Sequence, residues 1–329
     1  MRSSHSKLSL LCAALLWSCL GEVEHENPLD PESPAFVSTG ILRGQVTTYY
    51  QPFRAIRGVA LELAPGNMSA LSDTNGAFII RNVPEGEYVL YARHKSFASD
   101  SMKVIVQQEN SARVTFQLDA LPQITSVTGR TFHVGNLPPE ENVDFALFEA
   151  NVEDPDGRAD IATVWMQIEG NTRVDTLRET SQAGLYDLTL FSADAPSGSL
   201  HGILGRRLKF TAVDRLGNQS TAEELILFRI IDPPAEILSP KDRAQADSAR
   251  PKLVWNPLRL SFDFFYSVRV ERIVGGIPSL VWERAAIPDS AFFVRVDRAL
   301  ARGEHRWTIA VVDEFGNTST STPAAFIVR

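Results

Sequence analysis

The sequence predicts an all-β protein: three tandem β-sandwich domains behind an export signal and a flexible tether. Three observations carry this reading. From Gly40 onward the apolar residues fall in short runs of period two, separated by Gly, Pro, Asn and Asp, with no long stretch of 3.6-residue periodicity. The 329 residues are 44% hydrophobic and 22% charged, which is enough apolar material to build cores and excludes general disorder. A turn-containing segment also recurs at a shift of 99 residues, the size of one sandwich.

The charge balance narrows the partners. Forty acidic against 32 basic side chains give a formal charge of −8, so a nucleic-acid partner held by backbone electrostatics is not expected. The two cysteines, Cys12 and Cys19, both precede the predicted domains, which must therefore fold by burial, without disulfides or cysteine metal sites.

At the N-terminus, Arg2 and Lys7 precede an apolar run from Leu8 to Trp17, too short to span a bilayer as a mature helix and patterned as an export signal over residues 1–18. Leu16-Trp17-Ser18-Cys19 resembles the lipobox of bacterial lipoproteins, with an apolar residue three before the cysteine, a small one just before it, and Trp17 an unusual occupant of its place. The resemblance implies that Cys19 becomes residue one and carries a diacylglyceryl group and an acylated amine. Each buried methylene contributes about 0.8 kcal/mol, so several chains hold a protein to a membrane without a transmembrane helix. The alternative is an ordinary secretory signal with Cys19 a bystander. Cleavage before Cys19 would leave 311 residues with 30 basic and 40 acidic side chains, a charge of −10. Residues 19–39, with Glu22, Glu24, Glu26, Pro28, Pro31 and Pro34, read as an acidic, proline-rich tether. Within it, Asn27-Pro28-Leu29-Asp30-Pro31 is similar to the short stretches that follow the lipidated cysteine in many such lipoproteins.

The first domain is expected over 40–120. Gly44-Gln45-Val46 opens one strand, Gly58 to Leu63 gives a second, and Asp73-Thr74-Asn75-Gly76-Ala77-Phe78 sets a turn before a third. Asn75-Gly76 suits a hairpin turn needing positive φ, and Pro84 with Gly86 suits another turn before Tyr88-Val89-Leu90. The spacing of Asp73, Gly76, Phe78, Pro84, Gly86 and Tyr88 resembles that of the carboxypeptidase regulatory-like domain, although Ala55 stands where that family often has proline. The resemblance implies a seven-stranded transthyretin-like sandwich, related in fold to some carbohydrate-binding modules. It also implies that Phe78 and Tyr88 are core and turn residues without chemistry.

Pro122 and the pair Pro233-Pro234 lack backbone donors and mark boundaries, giving domains over 121–232 and 233–329. Val213-Asp214-Arg215-Leu216-Gly217-Asn218 recurs as Val312-Asp313-Glu314-Phe315-Gly316-Asn317, and Leu208, Phe210 and Ala212 align with Trp307, Ile309 and Val311 as an inward strand face. The Asp-x-x-Gly-Asn segment reads as a hairpin turn whose residues tolerate the backbone angles and hydrogen-bond locally. Trp255 before Asn256-Pro257, together with Trp307, makes the last domain resemble a fibronectin type III domain. The middle one is similar to immunoglobulin-like modules. In the last, Phe262, Phe264, Tyr266, Val268 and Val270 are expected buried and Phe265 exposed. In the middle one, Val143, Phe145 and Leu147 open a strand and Ile161 to Ile168 form another around Trp165.

Chemistry is sparse. There is no Gly-x-Ser-x-Gly elbow, no phosphate-binding glycine loop and, beyond Cys19, no cysteine in the mature chain. His25, His94, His133, His201 and His305 are never at metal-ligand spacing and read as surface or turn residues. No cofactor is expected, with calcium the one ion to consider. Asp154, Asp156 and Asp160 are candidate oxygen ligands for it, in Asp154-Pro155-Asp156-Gly157-Arg158-Ala159-Asp160. The spacing is not that of an EF-hand, since Trp165 stands where the closing glutamate would be. The alternative is a solvated turn before the strand at Ile161. Tyr49, Tyr50 and Phe53 beside Pro52 are candidate glycan contacts, unless alternate members belong to the core.

The reading is a non-enzymatic, lipid-anchored envelope protein that binds or scaffolds. Its partners would be the membrane, through the anchor, and envelope proteins or glycans. Leu20 and Gly21 after the cysteine, with no aspartate, favour the outer membrane or surface over the inner membrane by resemblance. Two alternatives stand beside it. One is a polysaccharide-binding lipoprotein; the other is an envelope hydrolase with a site between modules, whose sign would be a deep pocket holding two carboxylates.

Overall fold

The computed structural model describes residues 33, 38–107, 111–220, 222–232 and 234–329. Cys12, Cys19, the signal segment and nearly all of the tether lie outside the described residues. The chain divides into two compact units, Met1–Ala120 and Leu121–Arg329. Among the described residues the regular structure is nearly all β, helix is confined to four short 3-10 turns, and no helix is long and apolar enough to cross a membrane.

The first unit is a seven-stranded sandwich. One sheet holds β1 (Thr39–Thr48) between β4 (Ala77–Pro84), antiparallel, and β7 (Ser111–Leu118), parallel. The other runs in the order β3 (Met68–Leu71), β2 (Ala60–Ala64), β5 (Gly86–His94) and β6 (Phe97–Val106). Alternation along the strands sends Leu42, Val46, Leu61, Leu63, Phe78, Ile80, Leu90 and Phe116 into one core. The turn before β4 is held by Asp73, whose Oδ1 accepts the backbone N–H groups of Asn75 and Ala77. Gly76 has φ +74°, and a Cβ there would stand 2.3 Å from the Val46 carbonyl oxygen, so only glycine fits. This turn does not close a hairpin, in contrast to the expectation for Asn75-Gly76. Strand β3 pairs with β2 and β4 with β1, so the chain crosses from one sheet to the other, pulled over by the bond from the Val46 N–H to the Gly76 carbonyl. The Tyr88 hydroxyl donates to the Pro84 carbonyl at 2.9 Å and ties down the next crossing.

The second unit contains two hydrophobic cores. The first lies among β8 (Gln123–Val134), β9 (Val143–Glu153), β10 (Ile161–Ile168), β11 (Val174–Glu179), β12 (Leu185–Phe191), β13 (Arg207–Asp214) and β14 (Glu223–Ile226). Strand β11 changes sheets: its first four residues pair with β10 and its last two with β12. Phe148, Val164, Met166, Leu208, Phe210 and Ala212 fill this core, while Val143, Phe145, Leu147 and Trp165 lie half-buried on opposite strand faces. The second core lies among nine strands: β15 (Ile237–Ser239), β16 (Ala244–Gln245), β17 (Lys252–Trp255), β18 (Phe264–Val274), β19 (Ile277–Pro288), β20 (Phe293–Arg295), β21 (Gly303–Asp313), β22 (Thr318–Thr320) and β23 (Ala324–Val328). Trp255 packs edge-on against Tyr266, and Trp307, on the facing sheet, donates its indole N–H to the Pro240 carbonyl at 2.8 Å. The expected alternation at the start of β18 holds only from Tyr266 onward. Phe265 is half-buried rather than exposed because it sits on an interior strand between Val312 and Pro288, and Phe262 and Phe264 are half-buried rather than buried.

These two sandwiches share one sheet. Strand β22 pairs in parallel with β8, Thr318 to Thr320 lying opposite Phe132 to Val134, and the Gly135 N–H extends the seam to the Thr320 carbonyl. A Cβ on Gly135 would lie 2.4 Å from the Thr322 nitrogen, so the close approach requires glycine. Beside the seam, Asn317 Oδ1 accepts the Thr131 backbone N–H at 2.8 Å, and its Nδ2 donates to Asp313 Oδ2. Arg229, in the segment joining the two sandwiches, places its guanidinium 3.7 Å above the Phe262 ring and 2.8 Å from the same Asp313 oxygen, with Glu314 at 3.2 Å. Asp313 is 2% exposed, so removing its cation leaves a buried charge with an amide as its remaining side-chain partner. Arg229→Met should lower the stability of the full chain by about 1–3 kcal/mol, read as a shift in its urea midpoint. Arg229→Lys should recover only part of the loss, because an ammonium cannot both stack on Phe262 and fork between two carboxylates.

Candidate functional site

Two of the sequence candidates can be placed. The aromatic cluster sits in the loop that follows β1. Thr48 organises it: its backbone N–H donates to the Arg54 carbonyl, and its hydroxyl accepts the Arg54 N–H at 2.9 Å. The loop between is thereby pinched, leaving Tyr49 43% and Phe53 50% exposed, with Tyr50 half-buried and its ring edge-on to Tyr49 at 5.1 Å. No member of the cluster is buried in the core. Two exposed rings on a constrained loop are an apolar surface of the kind that stacks on flat, weakly polar ligands.

The acidic cluster precedes β10. Asp154, Asp156 and Asp160 bring carboxylate oxygens within 4.8 Å of one another. Asp154 Oδ1 accepts the Asp156 N–H at 2.8 Å, Gly157 takes φ +112°, and the 3-10 turn Arg158–Asp160 then delivers a buried Asp160 to the start of the strand. Asp214, which the spacing of 154–160 could not indicate, joins from β13: it lies across from Ile161, and one of its carboxylate oxygens is within 4.8 Å of one of Asp160. Burial, and then the charges of Asp160, Asp156 and Asp214, push the Asp154 carboxyl up to about 6, against the Asp156 N–H that favours its ionised form.

Several side chains are placed differently from expectation. His305, read as a surface or turn residue, is 0% exposed on β21, stacked on Phe326, with Nδ1 3.1 Å from the Gly303 carbonyl oxygen; burial lowers its pKa. His133 is half-buried against Asp144 at 2.7 Å. At the junction of the two sandwiches of the second unit lie two neighbouring grooves that no local motif indicated. One, of about 530 Å3, is lined by Leu137, Pro234, Lys241, Arg243 and Pro323. The other, of about 480 Å3, holds Glu140 and Glu271 beside Arg269 and Arg306. Glu271 accepts from Arg306 at 2.6 Å, so this carboxylate of the groove is engaged in an ion pair.

Residues 41–119 match the carboxypeptidase regulatory-like domain family. The remaining strands form the two further sandwiches that meet at β22 and β8. Among solved structures, the chain is similar to the FN1–FN3 domains of chicken CNTN1, at 10% identity over 89% of this chain and 99% of that one, with a TM-score of 0.36. It is also similar to the fibronectin(III)-like modules of Clostridium thermocellum CbhA, at 17% identity over 63% of this chain and 93% of that one, with a TM-score of 0.30. A mutant type II cohesin–X-dockerin complex from Acetivibrio cellulolyticus is 19% identical over 25% of this chain, with a TM-score of 0.23, and the chain spans 58% of the length of that neighbour. No curated protein matches the sequence.

The raised carboxyl gives a signed pH dependence. Between about 4 and 6 the folded state holds a proton on Asp154 that the unfolded chain has lost, so this group's contribution to stability falls as pH rises through that window and is constant above it. In EDTA, the urea midpoint of Asp154→Asn should fall less between pH 4 and 6.5 than that of the wild type.

Proposed function

We propose that the protein is a non-catalytic, lipid-anchored component of the cell envelope that binds or scaffolds other envelope molecules through the loops and edges of its β-sandwiches. The observation that carries the non-catalytic reading is the junction groove. Its Glu140 and Glu271 line one open cavity, and Glu271 is ion-paired with Arg306 rather than set opposite Glu140 as a free acid–base pair. The anchor rests on the lipobox resemblance at Cys19 and on the acidic, proline-rich tether after it, and Leu20 and Gly21, with no aspartate there, favour the outer membrane or surface. Intact mass and membrane partition test it. The wild type should carry lipid on Cys19 and sediment with membranes, and Cys19→Ala should be unmodified and released; a soluble, unmodified wild type would overturn the anchor.

Glycan binding is a second reading, favoured by the exposure of Tyr49 and Phe53 on a constrained loop. Stacking of a sugar on each ring contributes on the order of 1 kcal/mol, so Tyr49→Ala with Phe53→Ala should weaken retention on immobilised envelope polysaccharide by about tenfold or more. Equal retention of wild type and double variant would reject this surface.

A further inference from the structure

The 99-residue repeat supplies an internal reference for the acidic cluster. In the later copy, Asp313 Oδ1 accepts the turn N–H groups of Phe315 and Asn317, and Oδ2 faces the Arg229 guanidinium and the Asn317 amide. In the earlier copy, Asp214 Oδ1 accepts the equivalent N–H groups of Leu216 and Asn218 at 2.9 and 2.8 Å. The turn is the same, but the outer oxygen is not treated the same. Asp214 is 1% exposed, its Oδ2 is buried without a hydrogen-bond partner, and among the described residues it has no ion-pair partner. The arginine in the facing loop, Arg158, reaches Glu179 at 3.5 Å instead. What does face Asp214 is more acid, Asp160, whose carboxylate also meets those of Asp154 and Asp156, and Asp154 Oδ2 is likewise buried without a partner. A buried carboxylate oxygen with no donor is costly, and the cost grows when its neighbours carry the same charge.

We propose that Asp154, Asp156, Asp160 and Asp214 bind one calcium ion, which occupies the role that Arg229 plays in the later repeat. Calcium bonds oxygen at about 2.3–2.6 Å in flexible geometry, so ligands around one ion stand up to about 5 Å apart; oxygens of Asp154, Asp156 and Asp160 lie within 4.8 Å of one another, and one of Asp214 lies within 4.8 Å of one of Asp160. An all-carboxylate set without histidine or cysteine selects a hard cation. Magnesium is disfavoured because it demands near-octahedral geometry at about 2.0–2.1 Å and sheds water reluctantly. The site is independent of the anchoring and binding roles proposed above, and its failure would leave them untouched.

The test is calorimetric titration of calcium chloride into the EDTA-stripped full chain, beside thermal melts of the same protein. One calcium per chain should bind with a Kd below about 1 mM, and saturating calcium should raise a melting transition by about 3 °C or more. Asp214→Asn and Asp156→Asn should each weaken binding at least about tenfold; Asp156→Asn leaves the Asp214 turn bonds in place and keeps the test informative if Asp214→Asn does not fold. No binding heat and no thermal shift at about 10 mM calcium would overturn the proposal, as would undiminished binding in a folded variant of either kind.

Discussion

The arrangement of the second unit depends on one buried carboxylate, Asp313, and the cation that meets it. A carboxylate withdrawn from water is tolerable only when its oxygens are bonded and its charge is answered. Here one oxygen holds the turn and the other takes Asn317 and Arg229. Arg229 comes from the segment between the sandwiches, so neutralising the turn also fixes where that segment lies. Asn317, held by the same carboxylate, reaches Thr131 with its free carbonyl oxygen. The parallel pairing of β22 with β8 then follows as a continuation of contacts already made. Exposed pairs such as Arg93 with Glu62 have no such leverage, because water competes for both partners.

The repeated turn shows how one local structure serves two ends. In both copies the aspartate gathers the N–H groups of its own turn, and the glycine takes a positive φ of 88° or 84°. What differs is the neighbour presented to the outer oxygen: a guanidinium in one copy, a cluster of carboxylates in the other. The turn is thus a fixed fitting with one open valence, and the surrounding sandwich decides whether that valence is met by protein.

That division also explains what could be read from the residues alone. Period-two strands, the turns at Asp73, Asp214 and Asp313, and the inward faces of β13 and β21 are set by local chemistry and were legible. The crossing after Asn75-Gly76 was not, because a turn's dihedral angles do not say which sheet the next strand will join. Phe265 and His305 were misplaced for a related reason. An aromatic or imidazole ring on an interior strand is covered by its neighbours on both sides, and those neighbours come from remote parts of the chain. The same remoteness hid the best part of the acidic cluster. Asp154, Asp156 and Asp160 announced themselves by spacing, whereas Asp214 arrives only through the pairing of β10 with β13.

The seam between the two sandwiches joins Thr131 to Asn317, 186 residues apart in sequence, whereas each core is assembled from nearer strands. Contacts across so long a loop cost more closure entropy than those within either sandwich, so the seam gains from cores that are already assembled. The seam consists of a three-residue pairing with the Asn317 and Arg229 contacts beside it, against a full hydrophobic core on either side. Along that line Gly135 allows the close approach and Thr318, Ser319 and Thr320 pair with Phe132 to Val134, so these edges of β8 and β22 are occupied by each other and are not open to a further strand.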